Sequence, residues 1–123
     1  MLFRSELHCV DLAGRRVDLA AVQLVHAALI FEHAGLERCL DNAVDMVAPG
    51  GVLSVVLQLP SATEPAVGNS AIASVQAQRE SFHFVDCDAF RRQVEGRGFR
   101  FVRSVDRPLA SGKAFWMGLF QRS

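Results

Sequence analysis

The chain has 123 residues, enough for one domain around one core. Half of them are hydrophobic and 21% are charged, a globular balance that excludes an intrinsically disordered segment. Thirteen basic and thirteen acidic residues cancel, so there is no bulk electrostatic attraction to nucleic acid or to an anionic membrane. A local cluster, Arg91, Arg92, Arg97, Arg100 and Arg103, is interleaved with Asp86, Asp88 and Glu95 and reads as a solvated face. The cysteines, Cys9, Cys39 and Cys87, are widely spaced and odd in number, without CxxC or Cys/His ligand spacing. Neither a metal site nor a disulfide framework is expected, and free thiols fit a reducing cytoplasm. Arg4 and Glu6 interrupt any apolar leader, and no stretch reaches the roughly 18 apolar residues of a spanning helix.

In chain order, Leu7 to Leu12 reads as a short strand ending in an acid, with a turn at Gly14. Val17 to Ala21 is a connector. Val22 with Gln23–Ala28 reads as a second, buried strand. Glu32 and His33 follow, where the chain leaves the strand for a helix. That helix is expected from about Leu36 to Val47, because Leu36, Leu40, Ala43, Val44 and Val47 share one face. Glu37, Arg38, Asp41, Asn42 and Asp45 take the other. Pro49-Gly50-Gly51 stops the helix as a turn. Val52 to Leu57 then has five apolar residues in six, broken only by Ser54, the signature of a strand buried on both faces.

Ser61 to Asn69 is a loop, and Ala71 to Gln78 a short helix or lid-like segment. Asp86 to Glu95 is a helix with Asp86 and Asp88 as candidate caps. Phe99 to Val105 alternates as a strand near a sheet edge, where Arg100 and Arg103 discourage further pairing. Ala114 to Phe120 is a final, interior strand. The last two strands are joined without room for a helix and should be antiparallel neighbours.

The segments Q-L-V-H-A-A-L-I-F-E-H and A-P-G-G-V-L-S-V-V-L-Q-L-P, with a helix between them, resemble the class I S-adenosylmethionine-dependent methyltransferases. Gln23-Leu24-Val25 stands at that family's fourth strand and Ala48-Pro49-Gly50-Gly51 at the turn before its fifth. Phe99–Val105 and Ala114–Phe120 stand at its closing pair. The resemblance implies an α/β fold: a partial Rossmann-like methyltransferase sheet, helices on both faces and a closing antiparallel pair. It covers the chain from Leu7 onward, so residues 1–123 are expected to form one domain equivalent to the C-terminal half of such an enzyme. The family's Gly-rich cofactor loop and ribose-binding acid belong to its first half, and no G-x-G in strand-to-helix context occurs here.

By resemblance, Asp11 would accept a hydrogen bond from the cofactor's adenine amino group and Leu12 would offer its backbone N–H. Asp11 reads equally well as the cap of the turn before Gly14. His26, at the carboxyl end of the fourth strand, would flank the cofactor's methionine part, or else pack between strand and helix. Adjacent Glu32 and His33 suit a carboxylate–imidazole general-base pair. The favoured alternative is an N-terminal capping acid beside an exposed histidine. Gln58, past the fifth strand, is either a substrate-side group or a strand terminus.

The expected function is therefore that of an S-adenosylmethionine-dependent methyltransferase-like protein with a small-molecule acceptor, not competent as this chain alone. The alternative is a non-catalytic methyltransferase-like subunit or truncated domain used for association. An unrelated hydrolytic or redox enzyme is disfavoured, because no G-x-S-x-G, CxxC or metal spacing occurs. The fourth strand would form an exposed apolar edge. A homodimer, a partner chain, or Leu7–Leu12 folded against that edge is expected to cover it.

Overall fold

A computed structural model of the chain describes residues 4–61 and 82–123. Along them run β1 (Val22–Ala28), α1 (Phe31–Ala34), α2 (Glu37–Asp45), β2 (Val47–Leu59), α3 (Cys87–Glu95), β3 (Phe99–Pro108) and β4 (Ala114–Arg122). The sheet order is β1-β2-β4-β3. β1 and β2 are parallel, as their helical connection requires, whereas β4 is antiparallel to both β2 and β3. The short β3–β4 connection is closed by the Leu109 N–H donating to the Lys113 carbonyl at 2.7 Å. The closing antiparallel pair, with its edge and interior members, thus follows the sequence reading.

β2 begins earlier than the sequence suggests. Pro49-Gly50-Gly51 lies inside the strand and not before it. The register with β1 passes from Val22↔Val47 to Leu24↔Val52, so the extra residues of β2 bulge out opposite Gln23. A Cβ on Gly51 would stand 2.8 Å from the Ala48 carbonyl oxygen and 3.0 Å from that of Gln23. Both obstacles are backbone, so only glycine fits there.

The core lies on one face of the sheet. Leu53, Val55 and Leu57 are fully buried, while Val52, Ser54 and Val56 on the opposite face are only half-buried. On β4, Trp116, Gly118 and Phe120 point inward and Met117 is 41% exposed. A Cβ on Gly118 would come within 2.4 Å of the Trp116 ring, so the glycine leaves room for that indole to lie across the strand. α1, α2 and α3 send Phe31, Leu40, Val44, Phe90 and Val94 into this same core. Phe90 is its hub, with ring centroids 5.1 Å from Phe31, 6.0 Å from Phe120 and 6.3 Å from Trp116.

The expectation of helices on both faces is therefore met on one face among the described residues. The expected two-sided burial of Val52–Leu57 gives way to alternation for the same reason. Apolar character on a strand reports what can be buried, not what lies above it.

β1 is a sheet edge and not a buried strand: of its residues only Ala27 is fully buried, and Val22 and Leu24 are 47% and 61% exposed. Leu7–Leu12 is not a strand. It lies outside the sheet with Leu7 96% exposed, and so does not cover β1. The expected loop beyond Ser61 and the expected segment Ala71–Gln78 lie outside the described residues.

The helix expected over Leu36–Val47 is α2, and its Leu40, Ala43 and Val44 are buried as the spacing requires. Asn42, placed on the polar face by sequence, is 2% exposed. Its side-chain N–H groups donate to the carbonyls of Leu12 (2.7 Å) and Arg15 (2.8 Å), and its Oδ1 accepts from the Val17 N–H (2.9 Å). This clamp holds residues 12–17 against α2. α3 starts as read: the Asp86 carboxylate accepts the Asp88 N–H at 3.1 Å and caps the helix.

Candidate functional site

Ligands of open α/β sheets bind outside the carboxyl ends of the parallel strands. Here those ends are Ala28 of β1 and Gln58–Leu59 of β2. Leu29 turns the chain out of β1 with a φ of +57°, a left-handed conformation costing a leucine about 1 kcal/mol. Its N–H donates to the Val56 carbonyl at 3.0 Å, which holds the turn against β2. α1 follows at once and places Glu32 beneath the rim.

Glu32 is 1% exposed. One carboxylate oxygen, Oε2, accepts the Gln58 N–H at 2.7 Å, and its carbonyl accepts the His83 N–H at 2.7 Å. The other oxygen, Oε1, is buried with no hydrogen-bond partner among the described residues. One residue, through its side chain and its carbonyl, thus ties α1, the end of β2 and the segment leading to α3 into a single rim. Cys87 feels the same charge. Burial pushes its thiol up to about 11, with Asp106, Asp86, Asp88 and Glu32 adding to the rise.

Of the residues proposed from sequence, the structure brings Glu32 and Gln58 together. Gln58 is itself buried, opposite Phe115 of β4. His33, next in α1, turns away from Glu32's partner and meets the Phe82 ring edge-on at 5.3 Å. Adjacent helical residues diverge by about 100°, so the two do not share a target.

His26 is not on the rim. It stands on the open face of β1, exposed, its Nδ1 3.0 Å from the hydroxyl of its cross-strand partner Ser54. Asp11 is engaged locally: its carboxylate accepts the Ala13 N–H at 3.0 Å and its carbonyl accepts the Gly14 N–H at 3.1 Å. It therefore performs the turn-capping role. Its charge also reaches Cys39, whose thiol is pushed up to about 11 by burial first and by Asp11 second. The Leu12 carbonyl is taken by Asn42.

Sequence reasoning missed Asn42. A signal was present, since Asn42 stands three residues after Cys39 and next to Ala43, beside the main apolar stripe, and both Cys39 and Asn42 are buried.

A separate groove of about 940 Å³ flanks α2 and the turn between α3 and β3. Of the arginines that line it, two have partners in the surrounding backbone and side chains. Arg97 pairs with Asp41 at 2.8 Å, and Arg122 donates to the carbonyls of Val44 (3.1 Å) and Val47 (2.6 Å). It lies away from the strand ends, and we place no chemistry there.

No family model matches the chain, and no curated protein does. Solved structures do match. The 4+2 cyclase SpnF aligns with a TM-score of 0.64 at 11% identity, over 94% of this chain and 56% of that one. The N-methyltransferase NodS from Bradyrhizobium japonicum WM9 aligns at 0.56 and 14% identity, over 92% and 57%. Magnesium protoporphyrin IX methyltransferase (ChlM) from Synechocystis PCC 6803, with bound SAH, aligns at 0.59 and 11% identity, over 93% and 49%. The chain has the fold of the C-terminal part of the class I S-adenosylmethionine-dependent methyltransferases, and spans about half the length of these structures. No helix among the described residues is long and apolar enough to cross a membrane.

Proposed function

We propose that this chain is the acceptor-side half of a cytoplasmic S-adenosylmethionine-dependent methyltransferase-like domain with a small-molecule acceptor, and that it does not hold the cofactor alone. The observation that carries the reading is the fold match to methyltransferases over about half their length. The placement of the candidate residues among the described ones supports this. The sequence has no Gly-rich strand-to-helix loop, Asp11 is committed to its own turn, and His26 stands off the rim. No catalytic step is therefore derived through S-adenosylmethionine in this chain. Glu32 is sealed from solvent, which suits it to positioning: it fixes the Gln58 backbone where an acceptor would meet the sheet. His33, half-buried at the same rim, is the candidate for proton exchange with an acceptor.

A second reading, a non-catalytic methyltransferase-like subunit used for association, is favoured by the open apolar edge at Val22 and Leu24. The cyclase SpnF illustrates that the fold does not dictate the chemistry. Calorimetric titration with S-adenosylmethionine separates the readings. The chain alone should give no binding heat, and a longer product of the same reading frame that adds a Gly-rich half should bind at micromolar strength. Absence of binding by such a folded product would favour the subunit reading. Micromolar binding by this chain alone would overturn the view that its cofactor site is incomplete.

A further inference from the structure

β3 is the edge of the sheet farthest from β1. β4 pairs with one side of it, and no strand among the described residues pairs with the other. Every residue from Val102 to Leu109 is exposed, so the described helices cover neither face of this half of the strand. Such an edge presents a row of backbone N–H and C=O groups to any further strand.

The register with β4 shifts between Phe101 and Arg103, where Val102 is the extra residue. Beyond that bulge, Arg103 to Pro108 pair with Leu119 to Ala114 without interruption. Paired residues share a face of the sheet. Arg103, Val105 and Arg107 therefore stand on the face away from the core, opposite Leu119, Met117 and Phe115. Ser104 and Asp106 stand on the other face, opposite Gly118 and Trp116. Arg103 and Arg107 form no ion pair among the described residues. One face of this edge thus shows cation, apolar side chain and cation at alternate positions.

We propose that the edge of β3 from Arg103 to Arg107 takes up an extended segment of a polypeptide partner as an added strand, with acidic, apolar and acidic residues at alternate positions. Backbone pairing supplies the attraction, and the side-chain row supplies the selection. A carboxylate directly opposite each arginine is about 5 Å away between Cβ atoms, within reach of an ion pair. The same two arginines repel a basic strand, so the guard against indiscriminate pairing is also the selector for an acidic one. A second copy of β3 is a poor occupant, because Phe99–Pro108 carries three arginines and one aspartate. A nucleic acid is a poor occupant too. Val105 and Asp106 interrupt the cations, and the stretch Arg103–Arg107 has no aromatic ring on which a base could stack. The inference does not depend on cofactor binding.

Fluorescence anisotropy on the full chain tests it. The probes are labelled synthetic peptides of about nine residues, with Glu-Lys-Val-Thr-Glu or Lys-Lys-Val-Thr-Lys at the centre and identical ends. The Glu peptide should bind about tenfold more tightly than the Lys peptide at low salt, and the difference should shrink at high salt. The surface variant R103E/R107E should reverse the preference. Two further forms of the Glu peptide carry N-methyl groups at alternate residues, one form for each edge of the peptide. At least one of them should lose binding, because the N–H groups facing β3 are then blocked, whereas a purely electrostatic contact would tolerate both. A single-stranded oligonucleotide of similar length is the last arm. Equal binding of the Glu and Lys peptides, no binding of either to folded protein, undiminished binding of both N-methylated forms, or oligonucleotide binding without peptide binding would overturn the proposal.

Discussion

Glu32 and Asn42 are the two buried polar side chains that organise the molecule, and they differ in how completely they are satisfied. Asn42 uses both amide N–H groups and its oxygen, so Asn42→Ala removes three hydrogen bonds at once. At about 1 kcal/mol net for each, we expect a loss of about 3 kcal/mol in urea unfolding, with faster amide exchange at Val17. Glu32 spends one oxygen on the Gln58 N–H, and the other has no partner among the described residues. Glu32→Ala should cost about 2–4 kcal/mol, through a buried unpaired N–H and lost packing. Glu32→Gln retains an acceptor for Gln58 and should fall within about 1 kcal/mol of wild type. An equal loss in both variants would mean that the negative charge itself has a partner.

The thiols give a pH dependence at the same scale. Cys39 and Cys87 are raised to about 11 from an ordinary 9, mainly by burial. A group whose folded pKa lies above its unfolded value favours the fold below the unfolded pKa and loses that contribution as pH rises through the folded one. Stability should therefore be level up to about pH 9 and decline toward pH 11, visible as a falling urea midpoint. The chain has no tyrosine, and Lys113 is its one lysine, so few other side chains titrate in that window. At neutral pH a disulfide-exchange reagent should label exposed Cys9 well before the other two.

At the scale of elements, the local signals in the sequence agree with the structure where the cause is local. The cap of α3 is legible because Asp86 needs only its own helix, and Asp86→Ala should cost about 1 kcal/mol with unfolding otherwise cooperative. The apolar stripe of α2 is legible because Leu40, Ala43 and Val44 repeat at helical spacing. The Pro49-Gly50-Gly51 stretch is misread as a turn, because the need for Gly51 comes from the Ala48 and Gln23 carbonyls, which close on it where β2 bulges against β1. Gly51→Ala forces backbone apart and should destabilise by about 2–3 kcal/mol, more than Gly118→Ala if the Trp116 ring can shift. Comparing the two by thermal unfolding separates a backbone obstacle from a side-chain one. Leu7–Leu12 reads as a short strand but finds no sheet neighbour, and Asn42 draws residues 12–17 onto α2.

At the scale of the whole molecule, a four-stranded sheet with helices described on one face leaves apolar surface open. Exposed edge strands with apolar side chains promote association. Sedimentation velocity should show self-association rising with concentration. Leu24→Lys should shift the distribution toward monomer while changing stability by less than about 0.5 kcal/mol, since Leu24 is 61% exposed. An unchanged distribution would mean that any association uses another surface.

By itself the sequence determined the α/β class, the parallel β1–β2 pair around a helix, the closing antiparallel pair and the face of α2 that turns inward. These follow from periodicity, connection length and capping chemistry, all of which act within a few residues. Tertiary structure alone decided which face of each strand is covered, that β1 is an edge, that Glu32 joins Gln58 while His33 does not, and that Asp11 serves its own turn. Those outcomes depend on which distant backbone atom reaches a given side chain first, and no local pattern of residues encodes that distance.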